Sequence, residues 1–444
     1  MAPTESTSGL CRASSALPNA TSLSRPCALC RAATPFLFQR VLPMPPVATS
    51  LPAQSDAHRA AAAPAHWAGI FAMTLCVFCL VASEFMPVSL LTPIATSLGV
   101  TEGWAGYGIA ISGAFAVITS LCIARIAGDL DRKTLLLLLT VLMGISGVIV
   151  SLAPSYPVYM IGRALIGVVI GGFWSMSAAI AIRVVPAASV PKALAVFNGG
   201  NALATVVAAP LGSYLGGIIG WRGAFLCLLP IAVIALVWQW ISLPALKPAP
   251  RQATGSIFAV LRRPLVLRGM AAVGVFFSGQ FMLFTYLRPF LETVTQVSVG
   301  TLSMLLLALG VAGFVGTVLI GSCIRKSVYL PLMIIPLVMA AIAVGLTVFG
   351  HSISMAFVLL AVWGLVATAA PVAWWAWLAR SMPDDAEAGG GLMVAVVQLS
   401  IALGSTVGGL LFDGSGYRAT FIVSAAVLLV GSLLAVLAAR TRTS

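Results

Sequence analysis

The chain has 444 residues, 60% of them hydrophobic and 8% charged, with a mean hydropathy of +1.08. A soluble core cannot absorb that much apolar surface, so the composition implies a polytopic membrane protein. The net charge of +13 does not indicate nucleic acid: the basic residues fall between apolar segments, and no aromatic–basic recognition motif occurs.

Residues 1–62 are rich in Ala, Pro, Ser and Thr, with Arg12, Arg25, Arg31, Arg40 and Arg59. They contain no apolar run long enough for a secretory signal and superficially resemble a transit peptide. A disordered N-terminal extension, or upstream sequence before a start at Met44, is the simpler reading. Cys27-x-x-Cys30 lacks a second ligand pair, so no zinc site is expected, and no structural disulfide is expected from the eight cysteines.

From Trp67 onward apolar segments follow closely, each near the ~20 residues that cross a bilayer. The predicted spans are 67–91, 104–126, 134–153, 156–182, 191–216, 222–242, 266–288, 298–321, 328–350, 353–379, 391–412 and 418–438. The expected fold is therefore an all-α membrane protein of twelve transmembrane helices. A Pro-rich cytoplasmic linker at 244–265 separates an N-terminal half (63–243) from a C-terminal half (266–440). With both termini inside, Arg132, Lys133, Arg183, Lys192, Arg262, Arg263, Arg325, Lys326 and Arg380 lie on the cytoplasmic side. Only Arg222, Arg288 and Arg418 fall outside, which predicts an N-in, C-in orientation.

The first span ends in Glu84-Phe-Met-Pro-Val-Ser-Leu-Leu-Thr-Pro93, and Glu84 is the only charged residue between Arg59 and Glu102. A carboxylate in hydrocarbon costs several kcal/mol and is retained only toward a bundle interior or a wet cavity. Pro87 and Pro93 are expected to interrupt the helix beside it. The halves also repeat: Leu211–Arg222 and Val407–Arg418 both end in Gly-aromatic-Arg, each followed three residues later by Phe225 or Phe421. Two repeated six-helix halves place a substrate site at the midplane between them.

Glu84–Pro93, Gly162-Arg-Ala-Leu-Ile-Gly167, Gly171-Gly-Phe-Trp174, Ala209-Pro-Leu-Gly212 and Gly279–Pro289 together resemble the major facilitator superfamily, over residues 64–440. The resemblance is to its drug-and-metabolite proton antiporter branch, most narrowly to exporters of the purine ribonucleosides inosine and guanosine. It implies proton coupling at Glu84 and Arg163, although Arg163 could also be an interfacial, snorkelling side chain. It implies inward gating by Asp131, Arg132 and Lys133. In that loop the usual Gly is Ala124, the usual Asp slot is Gly128, and acids fall at Asp129 and Asp131. It implies an antiporter helix bend at Pro210 and Gly212, or equally a packing kink.

A nucleoside offers a flat base and a polar sugar, so its pocket needs aromatic faces and a few amide or hydroxyl partners. The candidates are Phe173, Trp174, Asn198, Asn201, Phe277, Gln280, Phe281, Phe284, Trp374 and Gln398, with Trp375 and Trp377 nearby. Aromatic stripes at helical spacing more often serve packing or face lipid, and the amides are the stronger candidates. His58, His66 and His351 lie at or outside span ends and no Gly-Lys-Ser/Thr loop occurs, so neither enzyme chemistry nor ATP-driven transport is expected. No cofactor is expected; a proton gradient is the energy source. The expected setting is the bacterial inner membrane, as a monomer. Efflux of sugars or amphiphilic drugs, and a non-transporting solute sensor, stay open as alternatives.

Overall fold

A computed structural model describes residues 66–128, 130–186, 189–246, 262–382 and 386–440, all within one compact unit, Ala53–Ser444. The expected N-terminal extension, the linker stretch 247–261, Asp129 and Asp384–Asp385 lie outside the described residues. Among the described residues there are helices and no strands.

The first group of helices is α1 (Trp67–Ser89), α2 (Leu91–Leu98), α3 (Glu102–Ile126), α4 (Arg132–Ser151), α5 (Tyr156–Val184), α6 (Val190–Leu226) and α7 (Leu228–Ser242). The second is α8 (Pro264–Phe284), α9 (Leu287–Thr293), α10 (Val299–Lys326), α11 (Tyr329–Phe349), α12 (Ile353–Ala367), α13 (Ala369–Ser381) and α14 (Ala386–Arg440). Short polar side chains start several of them. Thr101 accepts from the Trp104 amide (3.2 Å) at α3, and Asp131 accepts from the Lys133 amide (2.8 Å) at α4. Ser298 accepts from the Thr301 amide (3.2 Å) at α10. Each satisfies a backbone donor that has no partner inside its helix.

Ten described helical stretches are long and apolar enough to cross a membrane. Two of them, Lys192–Ser242 and Gly389–Arg440, run for 51 and 52 residues. At ~1.5 Å per residue either would reach ~75 Å if straight, against ~30 Å of hydrocarbon. Neither is straight. Gly220 (φ 75°, ψ 162°) breaks the first and Gly416 (φ 77°, ψ 178°) breaks the second, in a backbone region that essentially only glycine enters. These are the glycines of the repeated Gly-aromatic-Arg blocks, and the surroundings repeat with them. Arg222 lies over the Trp221 ring and Arg418 over the Tyr417 ring. Phe225 and Phe421 are buried beneath, each edge-on to its own ring partner.

The same 196-residue offset relates another pair of breaks. Helix α1 gives way to α2 at Leu90 (φ −119°, ψ 11°), and α8 gives way to α9 at Tyr286 (φ −102°, ψ 15°). Pro93 and Pro289 sit in the first turns of α2 and α9, where a proline has no amide bond to lose. This corrects the expected break beside the acid: α1 runs through Pro87 and continues to Ser89. A proline inside a helix removes one hydrogen bond without ending it.

The buried hydrophobic residues form two clusters. One is built from α1–α7 and the other mainly from α8–α14, with Tyr286 crossing into the first and Val88, Ile109 and Ala209 into the second. Large exposed side chains such as Ile218, Val318, Trp240 and Ile241 form the outer faces, as lipid-facing helices require. The two groups meet closely along α3 and α14, where a Cβ on Gly103 would enter the Gly409 carbonyl and Asp413, and one on Gly113 the Gln398 carbonyl.

Gly416→Ala should destabilise the protein by about 1–3 kcal/mol. Gly414→Ala, two residues away in open helical space, should leave thermal unfolding in detergent unchanged. Equal melting temperatures for the two variants would contradict the assigned turn.

Candidate functional site

Glu84 lies on α1, 6% exposed, six residues before the break at Leu90. Its Oε1 accepts a hydrogen bond from Gln398 Nε2 of α14 at 3.1 Å. Gln398 is also 6% exposed, and its own Oε1 is buried with no hydrogen-bond partner. The bond joins residues 314 positions apart and links the two groups of helices. The next residue makes a second link: the Phe85 ring stacks on Phe281 of α8, with centroids 6.0 Å apart and planes at 24°. Phe281 meets Phe284 edge-on, while Phe277 packs edge-on against Phe276. Phe85 and Phe281 are related by the 196-residue offset, and so are Glu84 and Gln280. Gln280 has a buried, unpartnered Oε1 of its own.

Arg163 of α5 is fully buried. Its guanidinium donates to the Ser83 carbonyl (2.9 Å), the Gly108 carbonyl (3.0 Å), the Ser112 hydroxyl (3.1 Å) and the Glu84 carbonyl (3.4 Å). The Ser83 carbonyl is available for a local reason. An α-helix pairs each carbonyl with the amide four residues on, and that residue is Pro87, which has none. Arg163 supplies the missing donor. The snorkelling alternative for Arg163 is therefore excluded. Its hydrogen bond to Glu84 goes to the backbone carbonyl, while the carboxylate is held by Gln398. The positive charge still acts on Glu84 electrostatically.

Gly212, two residues beyond Pro210 in α6, packs against Met86 and Ser89 and lets α6 approach α1 beside the acid. The remaining candidates are placed elsewhere. Phe173 stacks on Phe197, and Trp174 meets Phe197 edge-on, within the first group of helices. Asn198 is exposed and bonds back to the Leu194 carbonyl, and Asn201 is half-buried. Trp374 is buried edge-on against Trp377, which itself covers Gly269 of α8. Asp131 caps α4, the Arg132 amide bonds the Leu246 carbonyl, and Lys133 is half-buried.

Sequence reasoning missed a set of contacts at the end of the bundle that holds the breaks. Arg288, read as an outer loop charge, is 4% exposed. It pairs with Glu292 (2.8 Å) and donates to the Ser89 carbonyl of the other helix group. Asp413 of α14 caps α3 from across the interface, accepting from the Gly103 amide (3.0 Å) and the Thr101 hydroxyl. Tyr286 donates to the Ser405 carbonyl (2.8 Å) and stacks on Phe412. Nothing in the sequence marks these pairings except that Asp413 stands within the second repeat block where the first has Gly217.

The Major Facilitator Superfamily profile matches residues 73–389. A Pseudomonas aeruginosa protein named transcription regulatory protein OpdE is 63% identical over 381 residues, covering 85% of this chain and 94% of that protein. The purine ribonucleoside efflux pump NepI of Salmonella typhimurium is 41% identical over 377 residues, with the same coverage of each. Among solved structures, a D-xylose–proton symporter superposes with a TM-score of 0.67 at 17% identity, over 84% of this chain and 97% of its own. An inward-facing bacterial Spinster homologue gives 0.68 at 16%, over 85% and 98%. With a buried acid clasped between two repeated helix groups, and with these similarities, the chain is a multi-pass membrane transporter, not an enzyme, and belongs to the Major Facilitator Superfamily.

Proposed function

We propose that this protein exports purine ribonucleosides, inosine and guanosine, from the bacterial cytoplasm by proton antiport across the inner membrane. The observation that carries the reading is the Glu84–Gln398 hydrogen bond, a titratable group buried where the two helix groups meet. In alternating access the halves rock about such a midplane site. A group that forms part of the interface is then exposed to each side in turn. Cargo identity rests on the 41% identical nucleoside efflux pump, and the Phe85–Phe281 rings and the amides of Gln280 and Gln398 suit a flat, hydrogen-bonding base. In this reading the breaks at Gly220 and Gly416 divide the two longest stretches to give twelve crossings, and the Lys/Arg bias of the connections sets both termini on the cytoplasmic side; the kinks support the count. The proton gradient supplies the energy.

A second reading is a transporter-like solute sensor, favoured by the regulatory name of the 63% identical relative. Flux discriminates the two. Proteoliposomes of the full chain should exchange inosine for protons; binding of inosine without flux would support the sensor. A toxicity and efflux panel of inosine, guanosine, sugars and drugs tests the cargo, and protection against a sugar analogue alone would overturn it.

Glu84→Gln should retain inosine counterflow and lose acceleration by an imposed pH gradient; unchanged gradient dependence would sink the proton-coupling role. Arg163→Ala leaves the Ser83 carbonyl buried without a donor and should destabilise the protein by at least about 2 kcal/mol. Arg163→Lys should rescue this only in part, because an ammonium cannot reproduce the planar fork. Thermal unfolding in detergent checks both, and wild-type stability of Arg163→Ala would contradict the assigned bonds.

A further inference from the structure

Gln398 offers more than a partner for the acid. An ionised carboxylate only accepts hydrogen bonds, so the amide must turn its N–H toward Glu84. The structure has that arrangement: Nε2 faces Glu84 Oε1 at 3.1 Å, and Gln398 Oε1 is buried with no partner. Both residues are 6% exposed, so bulk water is a poor substitute for the missing donor.

We propose that the Gln398 side-chain amide reads the protonation state of Glu84 and presents the opposite hydrogen-bonding polarity to the cargo. With Glu84 ionised, Nε2 is engaged and Oε1 is offered, so the site takes a cargo N–H or O–H donor, such as the lactam N–H of a 6-oxopurine or a ribose hydroxyl. When Glu84 gains one proton, a carboxylate oxygen becomes a hydroxyl donor. The amide then rotates half a turn about its last torsion, Oε1 accepts that O–H, and Nε2 takes the place of the acceptor. A cargo donor then meets another donor, and its binding is lost. No bond other than the one to the added proton forms or breaks. Proton and cargo thereby compete through one side chain. This rests on the nucleoside-antiport reading for its cargo, but the switch itself does not.

The surroundings leave Gln398 as the responsive element. Arg163 from α5 is the charged group acting on Glu84, and its own bonds go to three backbone carbonyls and a serine hydroxyl. Helix α3 faces this region with Ser112 and Gly108, α6 with Gly212, and α8 with Phe281 stacked on the adjacent Phe85. The other described titratable groups on the packed helices are Cys76 and Cys79 on α1, Glu102, Tyr107 and Cys122 on α3, Arg132 and Lys133 on α4, Tyr156, Tyr159 and Arg183 on α5, Lys192, Tyr214 and Arg222 on α6, Arg268 on α8, and Asp413, Tyr417, Arg418 and Arg440 on α14. Of these Tyr159, fully buried, packs against Gly108, whose carbonyl Arg163 holds. Helix α9 carries Arg288 and Glu292.

Infrared difference spectroscopy of the full chain in detergent, without cargo, tests the switch. As pH falls, a protonated carboxyl band should appear, absent in Glu84→Gln. A Gln398 amide carbonyl band, identified by its loss in Gln398→Met, should shift to lower frequency in step as Oε1 takes up the O–H. A carboxyl band that grows while the amide band stays fixed would overturn the proposal. A second arm measures inosine affinity against pH. Wild type should weaken by about tenfold per pH unit below the titration of Glu84, as one competing proton requires. Gln398→Met should weaken by less than about threefold per unit, and retention of the wild-type slope would also overturn the proposal. Failure of wild type to bind inosine would count against the nucleoside reading and leave the infrared result to decide the switch. If Gln398→Met does not fold, Gln398→Leu supplies the same comparison.

Discussion

The site depends on one missing amide. Pro87 cannot donate to the Ser83 carbonyl, and the guanidinium of Arg163 takes that role from the neighbouring helix. The same planar group holds the carbonyls of Glu84 and Gly108 and the hydroxyl of Ser112, so α1, α3 and α5 are pinned at one point. A cation buried in this way is tolerable because its donors are matched by oriented carbonyl dipoles. The backbone at Glu84 is thus held by its own helix group, and its carboxylate is left to reach across the interface. A direct ion pair with Arg163 would tie the acid to one half. The observed arrangement lets it engage Gln398 of the other half instead.

The internal repeat explains where the site lies and why it is asymmetric. An offset of 196 positions superimposes the glycine turns, the broken helix pairs and the two rings of the Phe85–Phe281 stack. Under that offset Glu84 matches Gln280 and Asp413 matches Gly217. One half carries the titratable group and the other an amide of similar shape. Asp413 in turn caps α3 across the interface where the first half has no side chain to return the contact. The repeat builds the architecture, and departures from it supply the chemistry.

Much of this was readable from sequence, for identifiable reasons. Span positions follow from apolar runs of membrane length, and the breaks at Gly220 and Gly416 fall in the gaps between predicted spans. Glu84 was visible because charge in hydrocarbon is rare. Gln398 was visible as a lone amide, but its partner 314 positions away was not. Phe85 was hidden because an aromatic in an apolar run carries no distinguishing signal. Arg288 was misread because a charge near a span end looks like a loop charge, whereas the short helix α9 folds it into the interface. The break in α1 is not legible from its prolines, because Pro87 does not end the helix but only frees a carbonyl that another side chain then uses.

The central claim is that cargo and proton compete at the Glu84–Gln398 bridge. The most direct measurement is proton release when inosine is added to the purified protein in weakly buffered detergent, below the titration of Glu84. Wild type should release close to one proton for each inosine bound, and Glu84→Gln should bind inosine and release none. Inosine binding to wild type without proton release, or equal release from both proteins, would contradict the account.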